Sequence, residues 1–376
     1  MNVLSLFANV GFGEYYLKKN GFNVVVANEL LEDRVNFYNK FHSNSVDLIC
    51  GSIAEKTIKN NIQAACEKHG KIDIIIATPP CQGMSIANAQ KNPKDERNTL
   101  IVHAMEMFNR IKPDYMLIEN VPQMAKTFIN YKGKTINIVK FIQSQLPDGF
   151  ECHCKTLNAK NLGTPQSRSR SICLISKNGE WEHPEEEESE ITLREVIDDF
   201  TLFPTLESGE NADHLGIPWH FVPKHNSNHI TWMSHTPTGC TAFDNKVHYP
   251  HLIENGEKRA ISGFKTTYKR MKWDSPAPTV TMCNGAISSQ NNVHPGRKFV
   301  DGTYSDARVL TIREILAICG LPTDCLDKFA HKQEDGSYKY DYSPNFIRKV
   351  LGEMFLPKMC LKILARVAQL DRASAF

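Results

Sequence analysis

Ile72-Asp73-Ile74-Ile75-Ile76-Ala77-Thr78-Pro79-Pro80-Cys81-Gln82 is an apolar run that stops at two prolines and a cysteine. A short run of β-branched residues bounded by breakers reads as a strand buried on both faces. The prolines end the ladder and hold the chain extended, so Cys81 sits just beyond the strand. A second run, Tyr115-Met116-Leu117-Ile118, ends in Glu119-Asn120-Val121. Gln166-Ser167-Arg168-Ser169-Arg170 precedes a third, Ser171 to Ser176. Thiol, carboxyl and guanidinium groups follow one another, each where a buried strand opens into a loop. That is the layout of an enzyme working at the carboxyl edge of a parallel sheet.

The pattern extends on both sides. Strands are expected at Val3 to Ala8, Asn23 to Ala27, Val46 to Cys50 and Glu151 to Leu157, besides those above. Helices are expected at Gly13 to Asn20, Leu30 to Phe41, Ile53 to Lys68, Leu100 to Ile111 and Lys134 to Gln145. This alternation predicts an α/β fold, a doubly wound, mostly parallel Rossmann-like sheet. Past Asn178 come the acidic run Glu185 to Glu188 and a short helix capped by Thr192. Periodicity then fades to about Pro295. Helices return at Leu310 to Cys319, ending at Gly320, and from about Asn345 to Ala365 with a kink at Pro357. The expected domains are residues 1–177, completed by 310–365, and a smaller irregular domain at 178–309. Residues 366–376 read as a frayed, disordered tail.

Composition narrows the class. The 376 residues are 41% hydrophobic and 23% charged, an ordinary globular balance. With a net charge of +2, a polyanion partner requires a local basic patch. No run approaches the roughly 20 apolar residues of a membrane span, and the N-terminus lacks a signal peptide's basic region. Eleven cysteines without framework spacing read as reduced thiols in a cytoplasmic protein. Cys152-His153-Cys154 reads as ordinary strand, so no metal site is expected.

Several side chains stand out. Phe7-Ala8-Asn9-Val10-Gly11-Phe12-Gly13 is a strand-to-helix turn that lets a ligand approach backbone N–H groups. Glu29, closing the second strand, is placed for a ribose diol. Cys81 roots a polar segment, Gln82 to Arg97, that reads as a mobile loop. Its thiolate would need positive charge, which Arg168 or Arg170 can provide. Apolar surroundings should raise the Glu119 pKa, so that it can be protonated near neutrality. Arg168 and Arg170, at alternate positions, should share one face and hold an anionic or carbonyl-bearing ligand.

Together these motifs resemble the cytosine-C5 DNA methyltransferases of restriction–modification type. Pro80-Cys81-Gln82 is similar to their nucleophile motif, Glu119-Asn120-Val121 to their Glu-Asn-Val, and Gln166-x-Arg168-x-Arg170 to their Gln-x-Arg-x-Arg. Leu6 to Gly11 resembles their first motif, Arg308 to Pro322 a later one and Ser343 to Pro357 the closing one. Four departures are visible. Leu30 stands where the family often has an aromatic after the ribose-binding Glu, and Ser52 where an acidic residue is expected after the third strand. The family's Asp-Leu-Phe-x-Gly-x-Gly-Gly reads Ser5-Leu6-Phe7-Ala8-Asn9-Val10-Gly11-Phe12 here, and its closing Gly-Asn is Gly352-Glu353.

The resemblance implies methyl transfer from S-adenosylmethionine to C5 of a flipped-out cytosine in a short duplex DNA sequence. It implies Cys81 as nucleophile at C6, Glu119 at N3, Arg168 on the base carbonyl and Arg170 on backbone or phosphate. Phe7, Ala8, Asn9, Gly11, Glu29, Leu30, Ser52, Ile53, Pro79 and Glu353 would hold the cofactor. Gln82, Ser85, Arg97, Gln166, Lys265, Lys269 and Arg270 would meet DNA. The irregular domain, with its histidines, Trp219, Trp232, Trp273 and a basic cluster from Lys258 to Lys272, would read sequence. A monomer is expected, nucleoid-associated in the cytoplasm, with a cognate endonuclease acting separately. A tRNA cytosine methyltransferase on the same scaffold and an inactive DNA-binding relative stay open; a nicotinamide dehydrogenase is disfavoured by the incomplete glycine fingerprint.

Overall fold

A computed structural model describes residues 1–43, 45–80 and 99–374. Two compact units emerge: Met1–Leu162, Ser169–Glu186 and Phe355–Phe376 form one, and Gly163–Arg168 with Glu187–Met354 form the other. Residues 310–354, grouped above with the catalytic domain, pack in the second unit.

In chain order the first half gives β1 (Asn2–Leu6), β2 (Asn23–Glu29), α1 (Glu32–Phe41), β3 (Asp47–Cys50), α2 (Lys56–Lys68), β4 (Ile74–Ala77), α3 (Leu100–Ile111) and β5 (Tyr115–Asn120). A hairpin of β6 (Phe128–Tyr131) and β7 (Lys134–Asn137) precedes α4 (Ile138–Ser144), β8 (Phe150–Asn158), β9 (Gln166–Ser167) and β10 (Ser169–Lys177). The main sheet has seven strands in the order β3-β2-β1-β4-β5-β10-β8. β1 to β5 run parallel, while β10 is antiparallel to both its neighbours. The expected α/β sheet, mostly parallel, is what the chain forms.

Burial follows strand position. β4 is buried throughout, and in β1 and β5 only the first residue is not. The edge strands β3 and β8 carry more polar and exposed positions. The chain leaves β3 at one edge and returns to place β4 on the far side of β1. The direction of winding reverses there, so the carboxyl ends of β1 and β4 frame a crevice.

Three expectations in this unit are corrected. β1 stops at Leu6 because Phe7 turns left-handed, with φ 60°. Gly13 to Asn20 is not an α-helix but two 3-10 turns, Phe12–Glu14 and Lys18–Asn20. Lys134–Asn137 pairs with Phe128–Tyr131, so α4 begins only where Asn137 caps the backbone N–H of Val139 and Lys140. The thiols also differ from expectation. The register of β8 and β10 sets Cys154 opposite Cys173, and the two form a disulfide.

The second unit has little regular structure: α5 (Leu193–Ile197), α6 (Ser227–Ser234), the hairpin β11 (His251–Glu254) and β12 (Glu257–Ala260), and β13 (Ala277–Pro278), which pairs with β9. Then come α7 (Ile312–Ile318), the hairpin β14 (Ala330–Lys332) and β15 (Tyr338–Tyr340), and α8 (Pro344–Glu353). Loops carry carbonyls that no ladder satisfies, and buried arginines take them over. Arg270 donates to the carbonyls of Met233, His294 and Asp306, and Arg348 to those of Asn284 and Leu310. Arg308 donates to the Leu206 and Val309 carbonyls and lies between Asp306, at 2.7 Å, and Glu314, at 2.9 Å. Trp219, Trp232 and Trp273 are core residues here, as is His220, so they do not form a reading surface.

The single expected terminal helix is two. α8 ends before Met354, and α9 (Pro357–Ser374) begins at the proline. α9 continues through most of the expected tail, with Ile363, Leu364 and Val367 buried. Among the described residues, no helix is long and apolar enough to cross a membrane.

The second unit should be acid-sensitive. His294 is fully buried; its Nδ1 accepts the Gly296 N–H at 3.1 Å, and desolvation lowers its pKa from 6.5 to about 4. Glu314 and Asp306 are also held below the ordinary carboxylate range, by the charges around them, although burial opposes this. All three folded-state values are depressed, so unfolding takes up protons as pH falls. The stability is fully present above pH 6.5, declines as pH drops toward about 4, and falls further as the carboxylates protonate. Urea unfolding followed by tryptophan fluorescence between pH 7.5 and 4.5, on the order of one denaturation curve per half unit, checks this. A flat profile contradicts it.

Candidate active site

Strand register fixes the site. Leu6 pairs with both Asn28 and Ala77, and Ala77 with Ile118. The residues that follow these positions therefore lie side by side along one sheet edge. β10 runs antiparallel, with Ile172 opposite Glu119, so its beginning, and Arg170 with it, arrives at the same edge. From one side to the other the edge carries Ser52 after β3, Glu29, the turn from Phe7 to Gly11, Pro79, Glu119 with Asn120, and Arg170. All belong to the first unit.

The turn after β1 is tightly specified. Phe7, Asn9 and Gly11 have φ of 60°, 53° and 77°. A side chain on Gly11 would meet His42 Nε2 at 2.3 Å, so glycine is required by space as well as by backbone. Ala8 N–H donates to the Asn28 carbonyl at 2.9 Å. Glu29 Oε2 accepts the Asn9 N–H at 2.9 Å, while its Oε1 accepts those of Leu30 and Leu31. Burial raises the Glu29 pKa, and these N–H groups together with Arg34 oppose the rise. Leu30 beside it is 60% exposed. On the next strand Asn28 donates to the carbonyls of Ile49 and Gly51, which positions Ser52 and the buried Ile53. The Asn9 side-chain oxygen is buried and meets no hydrogen-bond partner among the described residues. A buried orphan acceptor in a turn of this kind fits a donor from a bound molecule.

At the other end of the edge, Asn120 Nδ2 donates to the Pro79 carbonyl at 3.0 Å, and Asn120 Oδ1 accepts the Val121 N–H at 2.8 Å. Thr78 Oγ1 donates to the Phe7 carbonyl at 3.0 Å. The exit of β4 is thus pinned to β5 on one side and to the turn after β1 on the other. The side chain of Glu119 is nearly buried and pairs with Arg170 Nε at 2.6 Å. The apolar surroundings expected for this carboxyl are therefore replaced by a guanidinium, because β10 delivers Arg170 to the end of β5.

Other candidates lie elsewhere. Cys81, Gln82, Ser85 and Arg97 fall outside the described residues. Arg168, in the second unit, does not share a face with Arg170. Its guanidinium donates to the carbonyls of Val280, Gly352 and Met354 at 2.9 to 3.2 Å. Gln166 is fully buried, with Nε2 on Cys319 Sγ and Oε1 accepting the Val280 N–H. Arg270 is buried on three backbone carbonyls, so it is not a surface contact. Glu353 ends α8 in the second unit, after Gly352, where a side chain would meet the Thr281 carbonyl at 2.4 Å. Lys265 is exposed and pairs with Asp244 at 3.0 Å, a contact of the kind that exchanges readily for phosphate, and Lys269 is half-buried.

Sequence reasoning assigned no role to three supporting residues. Asn120 and Asn28 stand at strand ends, where an amide can bridge two chain exits, and that position was their signal. Glu14 gave none, since nothing local says that it turns inward.

Comparisons with known proteins bear on family and fold. A family model described as C-5 cytosine-specific DNA methylase matches residues 1–359. The chain is 37% identical over 369 residues to the Type II methyltransferase M1.HgaI of Avibacterium volantium, covering 97% of each chain. Among solved structures it resembles a prophage-encoded E. coli protein described as a DNA modification methyltransferase, with TM-score 0.65, 17% identity and 99% of both chains covered. It also resembles the Dnmt2 methyltransferase of S. pombe, with TM-score 0.58, 16% identity and 99% of both chains covered. These two structural likenesses bear on the fold.

Proposed function

The chain belongs to the C-5 cytosine-specific DNA methylases, and from that premise we propose that it transfers a methyl group from S-adenosylmethionine to C5 of a flipped-out cytosine in a specific short duplex sequence. The observation that carries this reading is the sheet edge itself. A cofactor-type turn, the pinned proline exit that leads to Cys81, and the Glu119–Arg170 pair occur on adjacent strands of one unit.

S-adenosylmethionine, when bound, supplies the electrophilic methyl group that C5 takes. The turn from Phe7 to Gly11, with Glu29, Leu30, Ser52, Ile53 and Pro79, would hold it. The orphan Asn9 oxygen and the exposed Leu30 face offer a polar and an apolar contact. Cys81 as thiolate adds to C6, forming a carbon–sulfur bond and pushing electron density to C5. Glu119, oriented by Arg170, meets N3 and stabilises the ring as it accepts those electrons. After methylation a base removes the C5 proton, the carbon–sulfur bond breaks and the thiolate leaves. Arg168 and Gln166 act by positioning, through their backbone partners. The second unit, with Lys265 and Lys269, would contact phosphate and read the sequence.

The resemblance to M1.HgaI, a Type II methyltransferase, supports a restriction–modification role with a separate endonuclease, in the cytoplasm with the DNA. A monomer suffices, because one chain supplies the whole edge. Tritiated methyl transfer to mixed-sequence duplex DNA, followed by bisulfite sequencing, tests the proposal. Methylated cytosines should recur in one short context. Transfer to tRNA instead would overturn the duplex assignment.

Glu119→Gln keeps the shape but loses the charge paired with Arg170. The expected result is a fall in kcat of about 10²–10⁴-fold with little change in duplex affinity. An unchanged rate removes Glu119 from the chemistry.

A further inference from the structure

Behind the cofactor turn lies a buried carboxyl group to which the chemistry above gives no task. Glu14 closes the first 3-10 turn, and its N–H donates to the Gly11 carbonyl at 3.1 Å. One carboxylate oxygen accepts the Ser5 hydroxyl of β1 and the other accepts the Tyr38 hydroxyl of α1. Cys360 of α9 lies close enough to feel its charge. Its carboxylate accepts from hydroxyls rather than from cations, and burial pushes its pKa up to about 7. A carboxyl kept under such a penalty is not there to fill space, since an apolar side chain would do that at lower cost.

Its position suggests the task. The turn holds two non-glycine residues, Phe7 and Asn9, in left-handed backbone that surrounding contacts must impose. Glu29 fixes the turn from one side through the Asn9 N–H. Glu14 fixes it from the other, tying the far end of the turn to β1 just before Phe7 and to α1. Tyr38 also packs against His42 with the rings tilted, and His42 Nε2 donates to the Gly11 carbonyl at 3.1 Å. Ser5 occupies the place where the family pattern carries an acidic residue, and the carboxylate that reaches Ser5 comes from Glu14.

We propose that Glu14 is a positioning residue for the cofactor: with Ser5 and Tyr38 it holds the turn from Phe7 to Gly11 in its binding shape, supplying from position 14 the acidic group that the family pattern carries at position 5. This rests on the reading that the turn binds S-adenosylmethionine.

The test is isothermal calorimetry of the full-length protein with S-adenosylmethionine, alongside duplex affinity by fluorescence anisotropy and thermal melting. Glu14→Ala should weaken cofactor binding by about tenfold or more while leaving duplex affinity unchanged. Glu14→Gln, whose oxygen can accept one hydroxyl while its amide N–H donates to the other, should recover most of the loss. A folded Glu14→Ala variant that binds cofactor within about twofold of the parent overturns the proposal, since a merely structural role lowers the melting temperature alone. If Glu14→Ala does not fold, Tyr38→Phe, which removes one hydroxyl, decides. A several-fold loss of cofactor affinity supports the proposal and an unchanged value overturns it. A parent protein that binds no S-adenosylmethionine overturns the functional reading and this inference with it, which separates the two failures.

Discussion

Cys81→Ser abolishes methyl transfer and leaves duplex binding intact; this is the largest effect expected of any single substitution. The proposed route needs a thiolate, and a free cysteine with a pKa of about 8.5 provides a usable fraction near neutrality. A serine hydroxyl of almost the same size provides essentially none without a dedicated base, and neither arginine of the Gln-x-Arg-x-Arg motif can act as one. Arg170 is engaged by Glu119, and Arg168 by three carbonyls. Affinity should survive because the contacts that fix the exit of β4 are made by its neighbours, Asn120 with Pro79 and Thr78 with Phe7. Tritium incorporation measured beside a gel-shift titration separates the two effects. Retained turnover rules out Cys81 as the nucleophile.

Arg308→Met unfolds or severely weakens the second unit. The guanidinium is buried between Asp306 and Glu314 and also holds the Leu206 and Val309 carbonyls. A methionine fills much of the same volume but leaves two buried carboxylates without their main cation. Breaking a buried pair from one side costs about 3–5 kcal/mol, far more than the pair's net worth. Glu314 also closes a capping box with Thr311, so its displacement would fray the start of α7. Urea denaturation followed by tryptophan fluorescence should show the loss as a lower midpoint. In the double variant with Glu314→Gln the costs should be less than additive, because each change removes the same contact. A loss under about 1 kcal/mol would show that solvent reaches this cluster.

The first unit was legible because its information is local. Ile74 to Ala77 and Tyr115 to Ile118 are continuous apolar runs ended by prolines or polar residues, and such runs have few readings besides central strands. α3 was readable to the residue, since its apolar face repeats cleanly between Leu100 and Ile111. Glu119 was placed correctly at a strand end. Its neighbour was not, because the pairing with Arg170 depends on β10 running antiparallel, and periodicity carries no strand direction. The two arginines of the motif look equivalent in sequence. They separate only because the chain passes between units after Arg168. The second unit resisted most. Arg270 among lysines and aromatics reads as a surface cation, yet its role is to satisfy loop carbonyls. That role is set by a dearth of ladders, which is a property of the fold and not of any short stretch.

The last helix has a consequence for how this protein is made. Trp181 donates to the Ile363 carbonyl, and Ile363, Leu364 and Val367 are fully buried, so α9 is built into the first unit's core. A ribosome delivers every strand of the main sheet well before that helix. All 168 residues from Glu187 to Met354 are made in between, a delay on the order of ten to thirty seconds at typical elongation rates. Through that interval the nascent sheet carries an uncovered apolar face, while the second unit has its whole sequence available to fold first. Heterologous expression should therefore reward weak induction, which keeps few such exposed chains together at once, and lower temperature, at which apolar association weakens.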